Sequence, residues 1–323
     1  MDTGEIRLTI AGVDVTQFVR TVNWSGNYEN CARELSAGVI QSHADPYLPV
    51  LNTAVGSPVS FSIDGETVFT GFVVTEERST DDTTVSVECY DKGFYLNQNY
   101  LVRQYRSQTP EAITADVCGE LGISTGEMAS GGTAVSRNFL RGVTGYKIIA
   151  TAWNMAGVKV CIRFEGDSLV VKELRQDAET VVIKKASNLL SASAKNSIKS
   201  GITRVAIYDS EGNFISNIDG DTGTYGVLQK VMIQSDNEDK TAEAEKELSE
   251  NGFKQTMSVS CFGDRRLITG NTALVEEPYT GITGLFWIIE DKHSFENGIW
   301  KTQLMLSYEP QADDVTAGTE SEG

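Results

Sequence analysis

Residues 144–171 read TGYKIIATAWNMAGVKVCIRFEGDSLVV, and the period of the pattern changes in the middle. Ile148, Ile149, Ala152, Trp153 and Ala156 fall three and four apart, which lays one apolar stripe along a helix over Thr144 to Ala156. Gly157 supplies the left-handed residue at which such a helix can end. Val158, Val160, Ile162 and Phe164 then alternate with polar or small residues, the two-residue period of a strand. Glu165-Gly166-Asp167 turns, and Leu169-Val170-Val171 returns. A second helix precedes this block. Thr109 is a hydroxyl N-cap, Pro110 stands at the first helical position and Glu111 faces the positive end of the dipole. Ile113, Val117 and Leu121 continue its stripe before Gly122. Two helices and a hairpin place an α/β domain over residues 105–184.

On either side of this domain the pattern is that of strands. In residues 1–104, Ile6 to Ile10 alternates, and Val59, Phe61 and Ile63 share a face. Asp64-Gly65 follows, a dipeptide whose two residues both tolerate positive φ, as a tight hairpin requires. Val68 to Val74 and Val85 to Cys89 complete that side. In residues 185–310, a hairpin turns at Asp209–Asn213, and strands fit Tyr225 to Ile233, Met257 to Phe262, Leu267 to Val275, Ile282 to Glu290 and Ile299 to Ser307. One helix interrupts them over 235–251, with Ser235 and Glu238 at capping-box spacing. The fold expected is mainly β with an α/β insertion: two small antiparallel β-barrels, 1–104 and 185–310, flanking the α/β domain. Residues 311–323 are polar and acidic and read as a flexible tail, or as a tether that orders on a partner.

Composition removes several function classes. Asp and Glu number 45 against 27 Lys and Arg, a formal charge of −18, whereas gripping a phosphate backbone needs a basic face. The densest apolar run, Gly284 to Ile289, stops at Glu290, far short of the ~20 residues of a membrane helix. The first residues lack a charged region leading into an apolar stretch, so no secretory leader and synthesis in a bacterial cytoplasm are expected. Cys31, Cys89, Cys118, Cys161 and Cys261 are scattered and form no C-x-x-C pair, the pattern of reduced, buried thiols.

Motifs of catalysis are missing: no nucleophile elbow, P-loop, dinucleotide fingerprint or H-E-x-x-H helix occurs. The two histidines are His43, in a turn-rich stretch, and His293, in Asp291-Lys292-His293 at an expected hairpin tip. A histidine beside a carboxylate can serve as a base, but more often it orients a turn. Asn217 to Gly223 resembles a calcium loop only superficially, because the positions that need Gly and a closing Glu hold Thr222 and Leu228. No catalytic residue, cofactor or metal site is expected. Trp24, Trp153, Trp287 and Trp300 sit in apolar patterns and are expected to be buried.

A set of short elements in fixed order carries a resemblance. Trp24-x-Gly26 leads to Ala32-Arg33-x-Leu35, then Val68-Phe69-Thr70-Gly71-Phe72-Val73, Tyr90-Asp91, Tyr95-Leu96 and Thr109-Pro110. Gly284-x-Phe286-x-Ile288, Asp291-x-His293-x-Phe295, Gly298, Thr302 and Leu304-x-Leu306 close it. The chain thereby resembles the baseplate hub proteins of contractile phage tails and prophage-like particles, the YqbQ-like type of PBSX-like elements, often filed with late control protein D. The resemblance implies a homotrimer that adapts a sixfold tail tube to a threefold central spike and forms part of the central channel. Its implied partners are the tail tube protein, the central spike protein, a baseplate wedge or LysM-type adaptor and the tape-measure protein, with no stable nucleic-acid or membrane binding. It implies no enzymatic activity and a place in the virion or tail-like particle. The positions carried over are Trp24, Arg33, Gly71, Phe72, Asp91, Asp291 and His293. Trp24 and Phe72 are expected in core packing, Arg33 in an ion pair near a barrel edge, and Asp291 and His293 in the last hairpin turn. A carbohydrate-binding tail module and a cell-wall hydrolase acting during penetration are the alternatives.

Overall fold

The computed structural model describes residues 4–41, 51–79, 83–175, 180–235 and 238–320. His43 lies outside the described residues. The first strands are β1 Ile6–Ile10, β2 Val13–Asp14, β3 Val19–Asn27, β4 Glu34–Ile40, β5 Pro58–Ile63, β6 Glu66–Arg78 and β7 Thr84–Tyr90. Then come α1 Gly93–Gln98, β8 Tyr100–Gln108, α2 Pro110–Glu120, β9 Ser124–Met128, β10 Val135–Thr144, α3 Gly145–Met155, β11 Val160–Glu165 and β12 Ser168–Glu173. Next are β13 Val181–Lys184, β14 Leu189–Ser197, β15 Arg204–Asp209, β16 Phe214–Asp219, α4 Thr222–Tyr225, β17 Gln229–Gln234 and α5 Thr241–Glu250. The chain ends with β18 Lys254–Phe262, β19 Thr272–Glu277, β20 Ile282–Glu296, β21 Ile299–Ser307 and β22 Thr319–Glu320.

The mainly-β class with an α/β insertion is as expected, but the strands do not close into two barrels. Among the described residues one open sheet runs β14-β18-β21-β20-β3-β4-β7-β6-β5-β1-β2, and β13 and β19 join it through β20. The reason lies in β20. Its first half pairs with β19, and its second half lies between β21 and β3. The register slips between Ile288 and Glu290, a bulge that re-aims the strand from one set of neighbours to the other. Early and late strands therefore share a core: Phe295 and Trp300 pack with Leu8, Phe61 and Val87. Asp64 (φ 52°) and Gly65 (φ 79°) form the expected tight turn between β5 and β6.

The α/β part is built as the sequence pattern requires. The Thr109 hydroxyl accepts from Ala112 N–H at the start of α2, and the Thr144 hydroxyl does the same for Lys147 at the start of α3. Ile113 and Val117 of α2 meet Ile148, Ile149 and Trp153 of α3, all buried with Phe139, Leu169 and Val171. Trp153 Nε1 donates to Thr114 Oγ1 at 3.1 Å, and Thr114 donates to the Pro110 carbonyl at 2.7 Å, so the indole is buried with its polar atom satisfied. Trp24 and Trp300 are buried too, whereas Trp287 is only half-buried.

Residues 311–320 are not a free tail. Asn154 Nδ2 donates to the carbonyls of Asp313 (2.7 Å) and Val315 (3.0 Å), and Ala317 N–H donates to Thr151 Oγ1 (3.0 Å). β22 then adds to β10 as an antiparallel strand, with Thr319 opposite Asn138. Val315 and Ala317 pack on the α/β core, which satisfies apolar surface that the acidic composition of this segment conceals.

The chain divides into two units, Ser193–Met257 and the rest. In the smaller unit β15 lies between β16 and β17, and Ala244 and Leu248 of α5 cover Val205, Ile207 and Met232. The Ser235–Glu238 contact (3.2 Å) is a turn before the helix rather than its cap; α5 starts at Thr241, after Lys240, with no side-chain cap. Asp219 pairs with Arg204, and Asp221 Oδ1 accepts from Thr224 N–H at 3.0 Å, so this loop spends its acids on its own chain.

Candidate functional site

Four of the carried-over residues meet in one buried cluster. The antiparallel registers set Trp24 of β3 opposite His293 of β20, and Gly26 opposite Asp291. Arg33 precedes β4, which pairs with β3 on its other side, and its guanidinium reaches back across Gly26. A Cβ on Gly26 would stand 2.5 Å from Arg33 Nη1, so only glycine leaves the passage open. Arg33 then forms a two-pronged pair with Asp291: Nη1 to Oδ1 at 3.1 Å, and Nη2 to Oδ2. The guanidinium also lies 4.1 Å from the centre of the Trp24 ring, a cation–π contact. The Trp24 and His293 rings are 4.8 Å apart.

Arg33 is 5% exposed, and Asp291 and His293 are 0% exposed. Charges so placed need every available partner. Thr269 donates its backbone N–H to Asp291 Oδ1 at 2.7 Å, and its hydroxyl lies 2.7 Å from the same oxygen. Burial by itself would raise the Asp291 carboxyl, but the Arg33 charge and the His293 contact outweigh it and hold the group well below the usual carboxylate range. His293 Nδ1 lies 3.2 Å from Trp300 Nε1, a donor only, so Nδ1 accepts. Thr302 Oγ1 sits 2.9 Å from the same nitrogen. The ring proton is thereby assigned to Nε2, which faces Asp291 Oδ2 at 3.4 Å, too long for a good hydrogen bond. Arg33 Nε and Trp24 Nε1 are buried without hydrogen-bond partners among the described residues, a cost the cluster carries.

Asp91 extends the cluster. Its carboxylate accepts from Arg33 N–H (3.0 Å) and Gly93 N–H (2.8 Å), tying the start of β4 to the start of α1. Burial pushes its pKa up to about 7, against those two donors and the Arg33 charge. Arg163 of β11 joins from the α/β part, donating to the Thr269 carbonyl (3.1 Å) and Asn271 Oδ1 (3.0 Å). The Thr269 loop thus holds the sheet and the α/β hairpin together.

Asp291 and His293 do not form a hairpin tip. They stand mid-strand in β20, and the turn falls later, at Asn297-Gly298. Neither side chain is open to solvent, so a substrate cannot reach the pair. Gly71 and Phe72 lie apart from the cluster. A Cβ on Gly71 would meet the Tyr90 carbonyl oxygen at 2.2 Å, so glycine permits β6 to pass β7 closely. Phe72 is half-buried rather than in the core, stacked on Tyr95 at 4.9 Å and edge-on to Phe94 at 5.9 Å. Thr269 and Arg163 carry no motif; only the folded registers reveal them. Among the described residues no three His, Cys, Asp or Glu side chains converge as a metal site.

Solved structures share this architecture from end to end. The 43 kDa tail protein of prophage MuSo2 from Shewanella oneidensis matches with a TM-score of 0.74 at 16% identity, covering 98% of this chain and 100% of that one. A tail protein from Neisseria meningitidis matches at 0.67 and 13% identity, covering 97% and 99%. An Escherichia coli component of the type VI secretion system, described as structurally similar to the T4 bacteriophage tail proteins gp27 and gp5, matches at 0.57 and 12% identity, covering 98% and 79%. The fold is therefore one shared by these tail proteins and the secretion component. Within that class the chain belongs to the YQBQ-like family, whose model matches residues 22–307. No curated protein matches the sequence.

Proposed function

We propose that the chain is a structural hub of a contractile phage tail or tailocin-like baseplate. Three copies would join the sixfold tail tube to the threefold central spike and form part of the channel. The observation that carries this reading is the end-to-end likeness to whole tail proteins, one of them from a prophage, within a YQBQ-like chain. The buried cluster supports it. Arg33 and Asp291 lie 258 residues apart and lock early strands to late ones, as a part under mechanical load requires. The large sheet remains open among the described residues, and open edges favour strand partners. The tube, spike, wedge or LysM-type adaptor and tape-measure proteins are the proposed neighbours, and residues 1–104, 105–184 and 185–310 are the proposed modules. Imaging of induced tail particles with a tag on this chain tests the reading. The tag is expected at the tube–spike junction; particles that assemble fully without this chain would overturn it.

A further inference from the structure

We infer that a cleft on the larger unit receives a basic side chain, an arginine or lysine head, from a partner protein. The cleft has a volume of about 570 Å³ and is bounded by β7, α1, the start of β8, the start of α3 and the segment at Asp313. Tyr90, Phe94, Tyr100 and Tyr146 give it aromatic walls. Tyr100 stands 72% exposed at the rim, an unusual position for an aromatic ring. Glu29, Glu88 and Asp313 place three carboxylates among those rings, against the one cation Lys147.

Among the described residues no lysine or arginine lies within ion-pair distance of these three acids. Glu29 accepts from the Tyr28 hydroxyl at 2.9 Å and Glu88 from the Tyr90 hydroxyl at 2.8 Å, both neutral donors. Burial raises the Asp313 carboxyl against a hydrogen bond with Tyr146, and the Glu29 charge adds to the rise while Lys147 offsets it. Three carboxylates against one lysine leave the cleft lining net acidic. A bare metal ion does not fit, because the acids do not converge as ligands. The missing charge must arrive on an extended head that meets separated carboxylates and ring faces together. A guanidinium does this, and an alkylammonium does so less well. A neutral glycan could stack on the rings, but it would leave the charge uncompensated.

Calorimetric titration of the full chain with acetyl-Gly-Arg-Gly-amide, its citrulline twin and chitotetraose separates these cases. The arginine peptide is expected to bind at least about tenfold more tightly than the citrulline twin and to weaken with added salt. Glu29→Gln combined with Asp313→Asn should reduce binding about tenfold, and so should Tyr100→Ala alone, a surface change with little bearing on folding. Equal binding of the citrulline twin, preferential binding of chitotetraose, or no binding of the arginine peptide at millimolar concentration would overturn the inference. The titration uses the isolated chain, so its outcome is separate from that of the hub reading.

Discussion

At the scale of single residues the strongest commitment is the pairing of Arg33 with Asp291. Removing two charges from water costs several kcal/mol per ion, and the pair recovers this only through geometry and the added Thr269 bonds. Asp291→Asn strands the guanidinium, so a loss of about 3–5 kcal/mol is expected in urea unfolding. Replacing both partners, Arg33→Met with Asp291→Leu, should restore most of that loss, because no uncompensated charge remains. The carboxylates also set a pH profile. Asp91, with a native pKa of about 7 against 3.8 unfolded, keeps its proton where the unfolded chain has lost it. Its effect makes stability fall as pH rises from 3.8 to about 7, then level off. Asp291 acts oppositely: its contribution is full above the ordinary carboxylate value and is lost as pH drops through its depressed native value. Urea midpoints against pH should show both limbs, and Asp91→Asn should remove the decline toward neutrality while sparing the acid limb. An unchanged decline in that variant would assign it to other groups.

At the scale of elements, legibility followed local chemistry. α2 and α3 were readable because Thr109 and Thr144 cap them and their stripes face one core. The Asp64-Gly65 turn was readable because both residues must adopt positive φ. β20 reads short because its second half buries Asp291 and His293 where alternation predicts apolar residues, so the pattern stops at Glu290 while the strand runs to Glu296. The same feature conceals the single sheet, since β20 is the strand through which the early strands join the late ones. The segment 311–320 reads as a tail because its acids dominate its composition, while much of its binding rests on backbone groups and two apolar side chains. Deleting residues 311–323 should cost roughly 2–4 kcal/mol, the sum of a few lost hydrogen bonds, and should raise hydrogen exchange in α3 and β10 selectively. Gly71→Ala forces β6 from β7 and should cost about 1–3 kcal/mol, measured by thermal unfolding. A neutral result there would mean that the two strands can move apart freely.

At the scale of the molecule, the charge of −18 acquires a location in the proposed assembly. An acidic channel repels a passing phosphate backbone and lets it slide, so acids should be enriched on the channel face of the trimer. A channel lined by basic or neutral side chains would reduce the charge to a matter of solubility. The length now accommodates the open sheet, its α/β insertion and the small unit of Ser193–Met257. In the proposed assembly the sheet edges and the acidic aromatic cleft are the surfaces offered to other chains. Three copies of this chain form the ring of the proposed hub, and sedimentation in the presence of the tube and spike proteins counts them. Three chains per complex are expected, about 105 kDa of this protein, or three times 35.1 kDa. A chain that sediments as a 35.1 kDa monomer with both partners present would contradict it.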